Sequence, residues 1–398
     1  MRLPVHRSLK GELRMRILIV GGAGDMGQVA CATVAADDSV TALVVADRDG
    51  ARAAEVAERL GGKASAVTLD ITDHESLNGA LSNADIVLNT VGPFYRFGRP
   101  VLEAAIEARV HYVDINDDWE PTVDMLTLHD AAVAAGVIAV VGMGASPGIS
   151  NLLASAAAAS LDEVETLYTG WPAGVGIPSS PEGIAAARGS AALEHWIHNL
   201  SMPIRVWRDG DYREVDALEE LTVTYPGIGA GTVWTCGHPE PITLPRTFPG
   251  IRESLNLMTG RPGLINVAKA LGEQVRSGAM TVAEAGDALL EAPGRRGPEA
   301  GVRAPFPDVW ALAQGTKDGQ RVTLGVTTDV LPDGRMGEMT SIPLAVCASM
   351  IAGGEVTTPG VHAPEAVIDP EAFFDRLSAY AGDRADGQRL RVSQHVDA

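Results

Sequence analysis

The apolar run Ile17–Val20 stops abruptly on the glycines of "GGAGDMGQ", and no other stretch restricts the fold as much. Four consecutive β-favouring residues with no polar alternation describe a strand buried on both faces, as in a parallel sheet covered by helices. Gly22, Gly24 and Gly27 then form G-x-G-x-x-G at the junction with a helix. In that pattern Gly22 is expected to make the tight turn, Gly24 to let a pyrophosphate approach, and Gly27 to bring helix and strand together. The helix N-terminus, with Ala23, Asp25 and Met26 around it, supplies partial positive charge to the phosphates. Asp47 ends the next apolar run about twenty residues on, where an acid accepts hydrogen bonds from a ribose. The strand, the helix and the acid all stand where the fingerprint needs them, so the stretch reads as a dinucleotide cradle rather than a bare turn.

The chain after this point alternates short apolar strands with small-residue helices as far as "VIAVVGMG", the pattern of a doubly wound parallel sheet. "LDITD" ends the third strand with Asp70 and Ile71, where adenine would rest. "NTVGPF" ends the fourth with Thr90, Val91, Gly92 and Pro93 at the switch point. "GMGASPGIS" follows the sixth and would bring Ser146 and Gly148 to the nicotinamide. Asp70 could equally serve as a turn cap. From residue 148 the texture becomes α+β, with "WRDGDY" and "TKDGQR" predicting hairpins that pivot on Asp-Gly. The expected fold is α/β: a Rossmann domain over 15–147, a second, α+β domain over 148–335, and a segment 336–398 returning to the first domain. Residues 1–14 are expected to be a disordered lead, with Met15 as the functional start, and 291–308 a loop.

Composition narrows the partners. The chain has 398 residues, 31 basic and 51 acidic, for a net charge of −20. Such a surface repels nucleic acid and anionic membrane. Cys31, Cys236 and Cys347 are far apart in the chain and match no zinc spacing, so they read as small buried hydrophobes in a reducing, cytoplasmic setting, and no metal is expected. No stretch reads as a membrane span, and no G-x-S-x-G elbow points to a serine hydrolase.

Four stretches, "NTVGPFYRFGRPVLEAAIEARVHYVDINDD", "GMGASPGISNLL", "GHPEPITLPR" and "PGVHAPEAVIDPEAFF", together resemble the saccharopine dehydrogenase-like family, which includes saccharopine reductases and lysine 6-dehydrogenases. The resemblance implies that the α+β domain over 148–335 is inserted for substrate and dimerisation contacts in a homodimer, and it implies NAD(P)-dependent hydride transfer at a carbon bonded to nitrogen, oxidising an amine or reducing an imine. Such chemistry needs a proton donor for nitrogen and a cation for a substrate carboxylate. Tyr95 is expected as proton relay, Asp117 as holder of the ammonium, and His238 as proton exchanger, the three lining one cleft. Arg96 is the expected carboxylate clamp, and "TCGHPEPITLPR" is expected to set His238, Glu240 and Arg246 at a strand end, with Arg246 binding substrate. Three have a plainer alternative: Tyr95 as an aromatic wall, Asp117 as a turn cap, Arg96 as a solvated side chain. Asp47 favours NAD by repelling a 2′-phosphate, while Arg48 beside it could accept one, so NADP remains open. Reduction of a C=C bond, or cofactor binding without turnover, are the other functions consistent with the sequence.

Overall fold

A computed structural model describes residues 15–173, 181–189, 191–292 and 306–396. The expected N-terminal lead and most of the 291–308 loop lie outside these. The chain divides into two compact units. One contains the described residues up to 149 together with 330–389; the other contains those between 150 and 329 together with 390–396.

In the first unit β1 (Met15–Val20), β2 (Val40–Asp47), β3 (Ala64–Thr68), β4 (Ile86–Asn89), β5 (His111–Asp114) and β6 (Ile138–Val140) form a parallel sheet. The order is Gly360–His362, β6, β5, β4, β1, β2, β3. The strand order progresses in opposite directions from β1 and from β4, the switch point at whose carboxyl ends doubly wound sheets form a crevice. Leu18, Ile19 and Val20 of β1 are fully buried. Each such side chain stabilises the fold by about 1.5–3 kcal/mol relative to exposure. The helix Asp25–Ala36 buries Ala30, Cys31 and Val34, small enough to let it lie close to the sheet. Between β5 and β6 the chain forms two helices, Trp119–Leu126 and His129–Ala135. The Thr127 hydroxyl donates to the Asp124 carbonyl at 2.6 Å, satisfying the helix end and stopping it there.

The helix Met336–Gly353 departs from the sequence expectation about apolar stretches. It is long and apolar enough by length and composition to cross a membrane, yet 61% of it is buried within the protein. Residues Ser341 to Cys347 are buried without interruption. A helix apolar all round is what a central core position demands. Within the same unit, the Ser341 hydroxyl donates to the Met26 carbonyl at 2.8 Å, tying this helix to the cradle.

The second unit holds a mixed nine-stranded sheet. Its strands are β7 (Glu163–Pro172), β8 (Ile204–Arg208), β9 (Asp211–Val215), β10 (Glu220–Tyr225), β11 (Gly229–Cys236), β12 (Glu253–Thr259), β13 (Trp310–Lys317), β14 (Gln320–Thr327) and Arg391–Val396. Both predicted Asp-Gly hairpins form: Asp209 and Gly210 turn β8 into β9, and Asp318 and Gly319 turn β13 into β14, all four with positive φ. The last strand pairs antiparallel with β14, so residues 390–396 belong to this unit and not, as expected, to the first. The returning segment is 330–389 instead.

Candidate active site

Every amide in the glycine turn is engaged by the fold. Gly21 and Gly22 both donate to the Ala46 carbonyl, at 2.9 and 3.0 Å, and Gly24 donates to Gly21 at 3.0 Å. The Ala23 amide donates to Asp47 Oδ2 at 3.1 Å. The Ala23 amide therefore braces the loop, and the amides of Asp25, Met26 and Gly27 in the first helical turn have no acceptor carbonyl within their own helix. The positive φ of the turn, 79°, falls on Gly21, not on Gly22 as expected. Gly22 is small for a different reason: a Cβ there would come within 2.8 Å of a Val45 methyl.

Gly24 and Gly27 differ in what surrounds them. A Cβ at Gly27 would meet the Gly21 carbonyl oxygen at 2.1 Å, so helix and turn can approach only through glycine. A Cβ at Gly24 would meet just one protein atom within 4 Å, the Gly21 oxygen at 3.3 Å. The protein leaves that space open beside the first helical turn, as a pyrophosphate would require. The other carboxylate oxygen of Asp47 accepts from the Asp49 amide at 3.0 Å, which holds the acid rigidly at the end of β2. Arg48 beside it is exposed. Asp70 accepts from the amide and hydroxyl of Thr72 at 2.9 and 2.7 Å, and these bonds hold its carboxyl below the usual range; it acts as a turn cap. Ile71, next to it, is half-buried.

Three loops follow β4, β5 and β6. In the first, Thr90 donates through both its amide and its hydroxyl to the Val20 carbonyl of β1, at 3.0 and 2.9 Å. The Val91 amide donates to Asn89 Oδ1 at 3.0 Å. The Gly92–Pro93 and Ser146–Pro147 peptides are cis. Phe94–Ala108 is a helix whose first turn carries Tyr95, 52% exposed, and Arg96, exposed and set over the Phe97 ring at 5.0 Å. Asp117 is half-buried in the second loop, just before the N-cap residue Asp118. In the third, Ser146 is half-buried, and Gly148 is glycine because the chain crosses itself: a Cβ would sit 2.1 Å from the Gly144 oxygen, at a φ of 118°. Asp114, fully buried, joins the second and third loops by accepting from the Asn116 amide at 3.0 Å and the Gly142 amide at 2.7 Å.

Within the second unit, His238, Glu240 and Arg246 do not stand together at a strand end. β11 stops at Cys236, His238 lies in the connection, and Glu240–Thr247 is a helix carrying Glu240 at its start and the exposed Arg246 near its end. Pro241 in the first turn suits that helix start. The buried imidazole of His238 stacks on Trp171, with centroids 5.0 Å apart and planes at 17°. Trp171 Nε1 donates to Asn256 Oδ1 at 2.9 Å, and Asn256 Nδ2 donates to Glu240 Oε1 at 2.9 Å. The Ser150 hydroxyl donates to that same oxygen at 2.7 Å. The ring of His195, on the helix Ala191–Ser201, has its centroid 6.2 Å from that of His238. Trp171, Asn256 and Ser150 were not singled out in the sequence; a buried acid flanked by prolines in "HPEP" was the one local sign that such a network had to exist.

The sequence matches family models over nearly all of this framework. One described as the saccharopine dehydrogenase NADP binding domain covers residues 17–140, and one described as the saccharopine dehydrogenase C-terminal domain covers 144–383. The chain belongs to the saccharopine dehydrogenase family. It is therefore an NAD(P)-dependent oxidoreductase acting on C–N bonds. Among solved structures, an apo histidine-tagged saccharopine dehydrogenase (L-Glu forming) from Saccharomyces cerevisiae is similar, with 18% identity over 96% of this chain and 100% of that one, at a TM-score of 0.60. GenD2 from gentamicin A biosynthesis, in complex with NAD, aligns over 97% of both chains with 15% identity and a TM-score of 0.41. At such identity the first likeness is one of fold.

Proposed function

We propose that the enzyme interconverts an amine and an imine on a small amino-acid-like molecule, such as lysine or a cyclic imine, and prefers NAD to NADP. The bound dinucleotide supplies or accepts the hydride at the carbon bonded to nitrogen. Tyr95 moves the proton to or from that nitrogen, Asp117 holds the cationic nitrogen, and His238 exchanges the proton with solvent. Arg96 and Arg246 bind the carboxylate.

The observation that carries this reading is the exposure of Tyr95 and Arg96 in the first helical turn after β4, the strand beside the switch point. Ligands of doubly wound sheets bind at that end, and a hydroxyl beside a guanidinium suits a nitrogen beside a carboxylate. The preference for NAD is supported by the rigid Asp47 carboxylate, which a 2′-phosphate would have to approach, although the matching family model is described as NADP-binding. A cytoplasmic setting fits three free, buried cysteines, and the family resemblance supports a homodimer.

The test is a panel assay of NADH and NADPH oxidation with cyclic imines, amino-acid-derived imines and enoyl esters. Turnover confined to imines supports the proposal, with NADH the better donor. Turnover confined to enoyl esters would overturn it.

A further inference from the structure

We propose that Tyr112 and Asp114 are positioning residues that lock the loops at the nicotinamide end of the cofactor site through one buried hydrogen-bond chain. The proposal rests on the dinucleotide reading of the glycine cradle. The chain runs across neighbouring strand ends. Asn89 Nδ2, at the end of β4, donates to the Tyr112 hydroxyl at 3.1 Å. That hydroxyl donates to Asp114 Oδ2 at 2.8 Å, while Asp114 Oδ1 accepts from the amides of Asn116 and Gly142. All three side chains are fully buried.

A carboxylate in such a place is retained only if its partners satisfy it. Here the partners reveal its role. The chain terminates on the backbone amides of Val91, Asn116 and Gly142, one in each loop after β4, β5 and β6. Those loops lead directly to Gly92 and Pro93, to Asp117, and to Ser146. Gly142 is itself constrained: its φ is 78°, and a Cβ would come within 2.7 Å of Pro147 and 3.0 Å of the Asn116 carbonyl. The Asp114 carbonyl also accepts from the Met143 amide at 2.7 Å, so two successive amides of the third loop are pinned to one residue. Burial pushes the Asp114 carboxyl up to about 6 and the Asp117 charge adds to the rise, while the bonds from Gly142, Tyr112 and Asn116 oppose both. The elements that hold the adenosine half, the glycine turn and the end of β2, make none of these bonds.

This asymmetry is what the experiment reads. Affinities for NADH and for ADP-ribose, which lacks the nicotinamide, are measured on the full chain by fluorescence titration and displacement, with NADPH and 2′-phospho-ADP-ribose as the parallel pair. In Tyr112→Phe, NAD(P)H affinity should fall about tenfold, the scale set by stranding two buried partners of the hydroxyl. ADP-ribose affinity should stay within about twofold of the unmodified enzyme. Equal weakening of both ligands, or no weakening of either, would overturn the proposal. Hydrogen exchange on the unmodified enzyme gives a reading that needs no variant. The amides of Val91, Asn116 and Gly142 should be protected as a set, and NADH should protect them further where ADP-ribose does not. Rapid exchange at any of the three, or equal protection by both ligands, would contradict the lock. If the unmodified enzyme bound neither NAD(P)H nor ADP-ribose, the dinucleotide reading would fail and this proposal with it.

Discussion

Gly24→Val separates the cradle from the fold around it. The native backbone at this position, φ −72° and ψ 168°, suits any L-residue. The new Cβ would meet one protein atom, 3.3 Å away. Valine is a poorer N-cap than glycine but restricts the unfolded chain more, so the net change in stability should be about 1 kcal/mol or less. Its methyls would fill the space beside the amides of Asp25, Met26 and Gly27. Each amide bond to a phosphate oxygen that is lost costs about 1.5–3 kcal/mol, on the order of ten- to a hundredfold in Kd. Gly27→Ala should behave in the opposite sense. Its methyl would overlap the Gly21 oxygen at 2.1 Å, and overpacking of that kind costs about 1–3 kcal/mol of stability. Calorimetric titration with NADH or NADPH, beside urea unfolding of both variants, makes the comparison. A folded Gly24→Val protein that binds both cofactors with unchanged Kd would refute the cradle. A stability loss in Gly24→Val as large as in Gly27→Ala would refute the open space at Gly24.

Tyr95→Phe, Asp117→Asn and His238→Gln, made singly, should each lower kcat at least about tenfold while cofactor Kd stays within about threefold; full activity in all three would remove these residues from the mechanism. Asp47→Ser should raise kcat/KM with NADPH relative to NADH, and a preference of the unmodified enzyme for NADPH would instead give the deciding role to Arg48. Asp114 predicts a pH dependence of stability. Its carboxyl titrates at about 6 in the fold against an ordinary 3.8, so the folded state binds the proton more tightly and gains from it below pH 4. That gain is lost as pH rises through 6, about 3 kcal/mol in all. In Asp114→Asn this part of the slope should vanish, as urea unfolding at pH 4.5 and 7.5 would show; an unchanged slope would contradict the assignment.

What the sequence disclosed is what short-range pattern encodes. The run Ile17–Val20, the spacing of Gly22, Gly24 and Gly27, and both Asp-Gly pairs are local signals whose physics needs no distant partner. The positive φ at Gly21 was illegible because Gly21 and Gly22 are adjacent and either could have turned the chain. The terminal strand Arg391–Val396 was missed because most of it is exposed, Val392 and Val396 included, and so no alternation marks it. The proline-rich "HPEPITLP" disguised a helix as a strand end. The polar networks were hidden for a different reason. Glu240 meets Ser150 and Asn256 from 90 and 16 residues away, and Asn89 meets Tyr112 from 23. Only the folded sheet order puts those side chains side by side.

The central claim, hydride transfer at a carbon bonded to nitrogen, is tested most directly by following the hydride itself. NADH and NADPH deuterated at C4 are incubated with the enzyme and a mixture of cyclic imines and enoyl esters, and the products are read by mass spectrometry and NMR. The account predicts one deuterium on the carbon attached to nitrogen in an amine product. Deuterium on a carbon of a former C=C bond, or no transfer to any imine, would contradict it.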